Sequence, residues 1–209
     1  CLYVSPLKAL TEAKYEKWKT EVFPNFKVSI LTGDHVLTEE RTKELNEADI
    51  ICVTNELIDS RSRKMESEKS SFLKEVGLII GEEFHIVAAE SRGPAVAAGF
   101  MRFTKAVPEA RIVCLSATLP NVEDVRSWLT KLNGKKTFAI NSTWRPVDLY
   151  WHYHSLPSDM RNYEITEEKK MQKAITLAHE HLDQSYIIFV HTKNMGWNMV
   201  KRLEKMGTK

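Results

Sequence analysis

Short apolar runs rich in β-branched residues alternate with longer stretches in which apolar positions recur every three or four residues. The runs are Leu2–Val4, Val28–Leu31, Ile50–Val53, Val76–Ile80, Ile112–Leu115 and Thr137–Ile140. Each predicts a buried strand, and the stretches 7–22, 38–46, 93–105 and 122–132 between them predict helices. Strand and helix in strict alternation is the sequence form of a parallel sheet wrapped by helices, an α/β fold. Two helix starts differ in quality: Thr38 with Arg41 three residues on predicts a weak cap, whereas Asn121 before Val122, Glu123 and Asp124 predicts a better one with acid in its first turn. After Ile140 the rhythm changes. Asn141–Pro146 is turn-rich, and Val147–His154 reads as an extended aromatic stretch. A helix over 167–182, a buried strand over 186–190 and a helix over 193–206 then resemble the opening of a second α/β unit. The 39 residues from Met171 onward are too few to bury a core alone, so this unit is expected to be truncated.

Composition sharpens the picture by exclusion. With 43% hydrophobic residues, 8 Gly and 7 Pro among 209 residues, the chain is globular rather than disordered. Thirty basic and 28 acidic residues leave a net charge of +2, so no global field draws in a polyanion and any nucleic acid must be held by a local groove. Cys1, Cys52 and Cys114 are odd in number and two lie inside apolar runs, which favours reduced core thiols and an intracellular protein over disulfides or zinc. No apolar run approaches the ~20 residues that a membrane helix needs. The chain opens directly on a strand-like run, which suggests that material upstream has been cut away. The charged cluster Arg61–Lys69 reads as a solvated helix end or loop.

Ligands of open parallel sheets gather at the carboxyl ends of the strands. The residues there are polar after all five of the first runs: Ser5-Pro6-Leu7-Lys8, Thr32-Gly33-Asp34, Thr54-Asn55-Glu56, Glu82-Glu83-Phe84-His85 and Ser116-Ala117-Thr118. Any one of them is also an ordinary capped loop, and Glu82-Glu83 alone also reads as acid at a helix N-terminus. Two adjacent carboxylates at a strand end can nonetheless divide a task, one holding magnesium through its water shell and the next orienting a water against a γ-phosphate. Trp18, Trp128 and Trp197 fall on helical patterns and are expected in the core, with Trp144 and Trp151 of the connector undecided. His35, His152, His154, His179 and His181 have no metal spacing and read as surface or packing residues.

The ordered set of turns resembles the motifs of superfamily 2 DExH-box helicases of the Ski-two-like group. Val4–Leu10 is similar to motif Ia, and Asp49–Glu56 with Asp59, Ser60 and Arg63 is similar to motif Ib. Glu82–His85 resembles the DExH box, Glu90–Pro94 the Arg-Gly signature that follows it, and Leu115–Asn121 with Trp128-Leu129 motif III. Trp144–Val147 resembles the segment joining two motor domains, and Ile187–Val190 with Thr192-Lys193 resembles motif IV. The resemblance implies a RecA-like first domain over 1–141, a connector over 142–166 and the start of a second RecA-like domain over 167–209. It implies ATP and magnesium as cofactors and single-stranded or partly duplex DNA or RNA as partner. Glu82 would hold magnesium, Glu83 would polarise water, His85 would link hydrolysis to the neighbouring domain, and Ser116 and Thr118 of motif III would complete the catalytic set. Pro6, Leu7, Lys8, Gly33, Thr54 and Glu56, with His191, Thr192 and Lys193 of the second domain, would contact the strand.

Two departures stand out. Glu82 occupies the place of the family's Asp, and Gly81 that of a usually apolar residue; one added methylene displaces a carboxylate from a cation that demands near-octahedral geometry. No Gly-x-x-x-x-Gly-Lys-Ser/Thr loop occurs within these residues, and Asn133-Gly134 before Lys135 reads as a turn. The resemblance places that loop ahead of Cys1, so these residues alone are expected not to turn over ATP. A helicase motor is thus the leading expectation. A cassette that binds nucleic acid or a protein without hydrolysis is the alternative, and another superfamily 2 translocase is disfavoured by Arg92-Gly93-Pro94 and Trp144-Arg145-Pro146.

Overall fold

The computed structural model describes residues 1–117, 119–142, 144, 146–156, 163–181 and 184–206. The chain divides into two units, Cys1–Ser142 and Thr143–Lys209. In the first, β1 (Leu2–Ser5), β2 (Val28–Leu31), β3 (Ile50–Thr54), β4 (Leu78–Gly81) and β5 (Arg111–Cys114) form one sheet in the order β2-β3-β1-β4-β5, every pair parallel. Helices α1 (Lys8–Lys17), α2 (Glu39–Asn46), α3 (Asn55–Ser62), α4 (Gly93–Ala106) and α5 (Val122–Asn133) supply the crossovers and flanks.

Alternation along the strands builds two cores. Leu2, Val4, Ile51, Val53 and Ile79 point to one face, where Leu57 and Ile58 of α3 and Val96, Phe100 and Phe103 of α4 cover them. Tyr3, Ile30, Cys52 and Ile80 point to the other, against Tyr15 of α1 and Trp18 beyond it. A sheet buried on both faces needs apolar residues at successive positions, which is why these runs are continuous rather than alternating. Each large side chain buried here contributes about 1.5–3 kcal/mol.

The first three strands and helices α1, α2, α4 and α5 coincide with the sequence reading to within a few residues, with α1 running on into a short π-helical turn, Trp18–Val22. The differences have identifiable causes. Thr137–Ile140 and residues 186–190 form no strand among the described residues, and Ile140 and Phe189 stand 97% and 93% exposed. Strand propensity without a neighbouring strand or a covering layer does not suffice. The caps are reversed in quality: Thr38 Oγ1 accepts from Arg41 N at 3.2 Å, while Asn121, at φ −102° and ψ 42°, lies outside the extended region that aims a capping side chain and makes no such bond. Trp18 and Trp128 pack against the cores, but Trp197 is exposed. Arg61–Lys69 spans the end of α3 and an exposed turn, with only Ser62 and Met65 buried.

In the second unit, α6 (Tyr163–Glu180) and α7 (Lys193–Lys205) pack through Met171, Ile175 and Met199. Arg202 grips Glu168 with both terminal nitrogens, at 2.5 and 3.1 Å. No described helix is long and apolar enough to cross a membrane.

Candidate active site and nucleic-acid interface

Parallel pairing sets all five strand ends along one rim of the sheet. In spatial order the turns are Thr32-Gly33-Asp34, Thr54-Asn55-Glu56, Ser5-Pro6-Leu7-Lys8, Glu82-Glu83 and Leu115-Ser116. Four gaps of roughly 4.8 Å make the rim about 19 Å long. The sheet therefore sorts what the chain interleaves. The candidate strand-binding turns lie after β2, β3 and β1, and the candidate hydrolytic turns lie after β4 and β5.

The acidic turn is stitched on both sides. Glu82 N donates to Val4 O and Phe84 N to Leu115 O, each at 2.8 Å. Gly81 is required beneath it: a Cβ there would meet Phe100 Cζ at 2.9 Å and Phe84 Cδ2 at 3.0 Å. The two rings pack edge-to-face at 5.1 Å, filling the space that an apolar residue at position 81 would take. Glu83 follows in the left-handed region at φ 51° and ψ 45°, the only non-glycine with positive φ among the described residues. That conformation costs about 1 kcal/mol and marks a position held by its surroundings.

From this backbone, Glu83 Oε2 lies 3.3 Å from His85 Nδ1, and the same nitrogen lies 3.5 Å from Ser116 Oγ. Residues from β4 and β5 thus meet around one imidazole. Glu82 turns inward instead: Oε1 lies 3.9 Å from Lys14 Nζ, and Oε2 is buried with no hydrogen-bond partner. Burial first and the neighbouring Glu83 charge second raise its pKa above the ordinary carboxylate range. A buried carboxylate oxygen without a donor, beside a second carboxylate, is a site that a hydrated divalent cation fits, since the cation relieves both penalties. Among the described residues no three His, Cys, Asp or Glu cluster as a metal cage. Burial pushes the Cys52 and Cys114 thiols up to about 12, as inert core residues.

On the other half of the rim, Pro6 and Thr54 are buried, while Leu7, Lys8, Gly33 and Glu56 are exposed. Lys8 is engaged by Asp34 of the neighbouring turn and by Glu12 at 3.7 Å. Glu56 is held by Arg92, whose Nη2 also donates to Pro6 O. Sequence reasoning marked Arg92 as part of a signature but could not assign its partners. Asp34 carried no role either, although its place in a strand-end turn was visible. In the second unit, Thr192 Oγ1 caps α7 by accepting from Met195 N, with His191 and Lys193 exposed beside it. Thr118 lies outside the described residues. A cleft of about 400 Å³ lined by Lys19, Phe26, Lys27, Val28, Glu44 and Glu47 sits at the start of β2, away from this rim.

The sequence of the DEAD/DEAH box helicase family matches residues 1–125, three-fifths of the chain and the whole of the rim described here. The chain belongs to the DEAD/DEAH box helicases. Among curated relatives of this helicase chain, the pre-mRNA-splicing factor brr2 of Schizosaccharomyces pombe is 33% identical over 202 residues, covering 92% of the chain and 9% of that protein. The ATP-dependent DNA helicase Hel308 of Thermococcus kodakarensis is 34% identical over 148 residues, covering 71% of the chain and 12% of the relative. Both are Ski-two-like superfamily 2 helicases, the group that the turn motifs resemble. The helicase chain therefore spans about a tenth of the length of each. The fold is shared with the helicase MrfA at a TM-score of 0.73 and 17% identity, covering 99% of the chain and 31% of that one. It is shared also with the Mycobacterium smegmatis helicase Lhr, solved bound to ssDNA and AMP-PNP, at 0.62 and 24%, covering 99% and 28%.

Proposed function

We propose that this chain is part of an intracellular ATP-driven motor that moves along one strand of DNA or RNA and separates its partner. The observation that carries the reading is the sorted rim: Glu83, His85 and Ser116 meet at one end, and small, basic and backbone-rich turns occupy the other. Relatives that are ATP-dependent helicases support it.

Residues of this chain divide the work as follows. Glu82, through its buried oxygen, would hold magnesium by way of bound water. When bound, magnesium and ATP supply the phosphoryl group passed to water and the charge that stabilises the transition state. Glu83, fixed by its left-handed backbone, orients the attacking water and accepts its proton. His85 bridges Glu83 to Ser116, so that a shift in the β5 turn is felt at the water-orienting carboxylate. Thr118, two residues past Ser116, is assigned to the same linkage. Lys8, Thr54 and the backbone amides of Leu7, Gly33 and Glu56, with Pro6 shaping the turn that presents Leu7 and Lys8, follow sugar and phosphate and carry little sequence information. His191, Thr192 and Lys193 offer the start of α7 for a second grip. We assign residues 1–141 to the first RecA-like domain, 142–166 to a connector and 167–209 to the beginning of the second.

A second reading is favoured by one contact. Glu82 is longer than aspartate and leans toward Lys14, as it would in a cassette that binds nucleic acid without hydrolysis. Strand-stimulated ATP hydrolysis by the longer protein carrying these residues decides between the two. The motor requires it and the cassette lacks it, and Glu82→Asp is expected to preserve or raise the rate.

A further inference from the structure

We propose that Arg92 is a positioning residue that ties two of the three strand-binding turns, those after β1 and β3, to the acidic turn, so that an occupied strand site raises hydrolysis through its guanidinium. This rests on the motor reading and names the internal coupling that the reading needs.

The geometry begins at Glu83. Ile86 N donates to Glu83 O at 3.0 Å, Ala89 N to Ile86 O at 2.9 Å, and Gly93 N to Ala89 O at 2.8 Å. An unbroken ladder of main-chain bonds therefore leads from the water-orienting residue to the start of α4. Its far end is locked by contact, because a Cβ on Gly93 would stand 2.2 Å from Val87 O and 3.0 Å from Ile86 O, both backbone atoms. Arg92 is the residue before that lock. Its Nη2 donates to Pro6 O at 2.5 Å and to Glu56 Oε1 at 2.5 Å, and its Nε donates to Glu56 Oε1 at 3.1 Å. One side chain thus joins the turn after β1, the first turn of α3 after β3, and the loop that follows β4.

Chemistry explains the residue type. Glu56 alone would repel a phosphate backbone, and Arg92 cancels its charge. A planar guanidinium can serve a carbonyl and a carboxylate together, whereas an ammonium on a flexible stem serves them without fixing their angle. The farther face of α3 is anchored separately, with Asp59 held by Arg63 and Arg102. The helix pair therefore stays assembled when Arg92 is changed, and the loss falls on the rim.

The test compares strand-stimulated and basal ATPase in the longer motor protein, using a single-stranded oligonucleotide as probe. Arg92→Gln is expected to lower the ratio of maximal stimulated to basal turnover, both read at saturation, by about tenfold or more through loss of its charge-assisted bonds, and the oligonucleotide concentration for half-stimulation rises because the Glu56 charge is left uncancelled. General destabilisation would reduce both rates together and leave the ratio intact, which overturns the proposal. Arg92→Lys is expected to recover less than half of the ratio, and it carries the test should Arg92→Gln fail to fold. Full recovery by lysine would mean that charge alone matters, and sinks the positioning role. An unstimulated wild-type protein refutes the motor reading itself, whereas a stimulated wild type with an equally stimulated Arg92→Gln refutes only the role of Arg92.

Discussion

Gly93→Ala offers the sharpest test of how the acidic loop is built. The added methyl would lie 2.2 Å from Val87 O, 2.8 Å from Val87 C and 3.0 Å from Ile86 O, all main-chain atoms that cannot swing aside as a side-chain tip can. Overpacking of this kind costs about 1–3 kcal/mol. Replacing glycine by alanine also removes freedom from the unfolded chain, which returns about 0.4–1 kcal/mol. The net expectation is a loss of about 1–2 kcal/mol, or roughly 3–7 °C in the unfolding temperature of a unit this size. Gly33→Ala is the control. Nothing lies within 4 Å of its would-be Cβ and its φ is not left-handed, so only the entropic gain remains and stability should rise slightly. Thermal unfolding of the two variants, followed by circular dichroism, should therefore move in opposite directions. Equal shifts would refute the close packing of residues 86–93.

Other consequences follow from charge. Glu82 has a pKa raised by burial and by Glu83, so its ionised form costs stability above the folded pKa, and the cost fades as pH falls through that value toward the ordinary one. Glu82→Gln should accordingly stabilise the fold at pH 7 and lose that advantage in acid, as read by urea denaturation across pH; an advantage that grows in acid would reverse the sign. Glu83→Gln removes the second cause of the shift, so magnesium binding should persist to lower pH in that variant, measured by calorimetric titration. Asp34→Asn releases Lys8 to phosphate, so affinity for a single-stranded oligonucleotide should rise and its log–log salt dependence steepen by about 0.7, the value for one added phosphate contact. An unchanged slope in fluorescence anisotropy would show that Lys8 does not reach the strand.

How much of this was legible in the residues depended on whether the signal was local. Leu2–Val4, Val28–Leu31 and Ile50–Val53 announced their strands because both faces are buried and, Ser29 apart, every position is apolar. Val76–Ile80 overshot at its start, since Val76 is buried outside the ladder, which begins at Leu78. Thr137–Ile140 and Tyr186–Val190 are also largely apolar, yet they lack a paired neighbour among the described residues. Helix α3 has no separate start signal, because the polar turn Thr54-Asn55-Glu56 that ends β3 is also its first turn. The rim residues were visible because each directly follows an apolar run. Their partners were not, since Arg92 reaches Glu56 across 36 positions and Pro6 across 86. Gly81 departs from the apolar pattern because Phe84 and Phe100, distant from each other in sequence, fill its place.

Strand-stimulated ATP hydrolysis by the Glu83→Gln variant of the longer motor protein bears most directly on the sorted rim. Loss of the water-orienting carboxylate should lower stimulated turnover by about 10²-fold or more, while oligonucleotide affinity, which resides after β1, β2 and β3, stays within about twofold. Turnover near the wild-type rate, or a parallel collapse of strand binding, would contradict the division of the rim into a hydrolytic end and a strand-holding end.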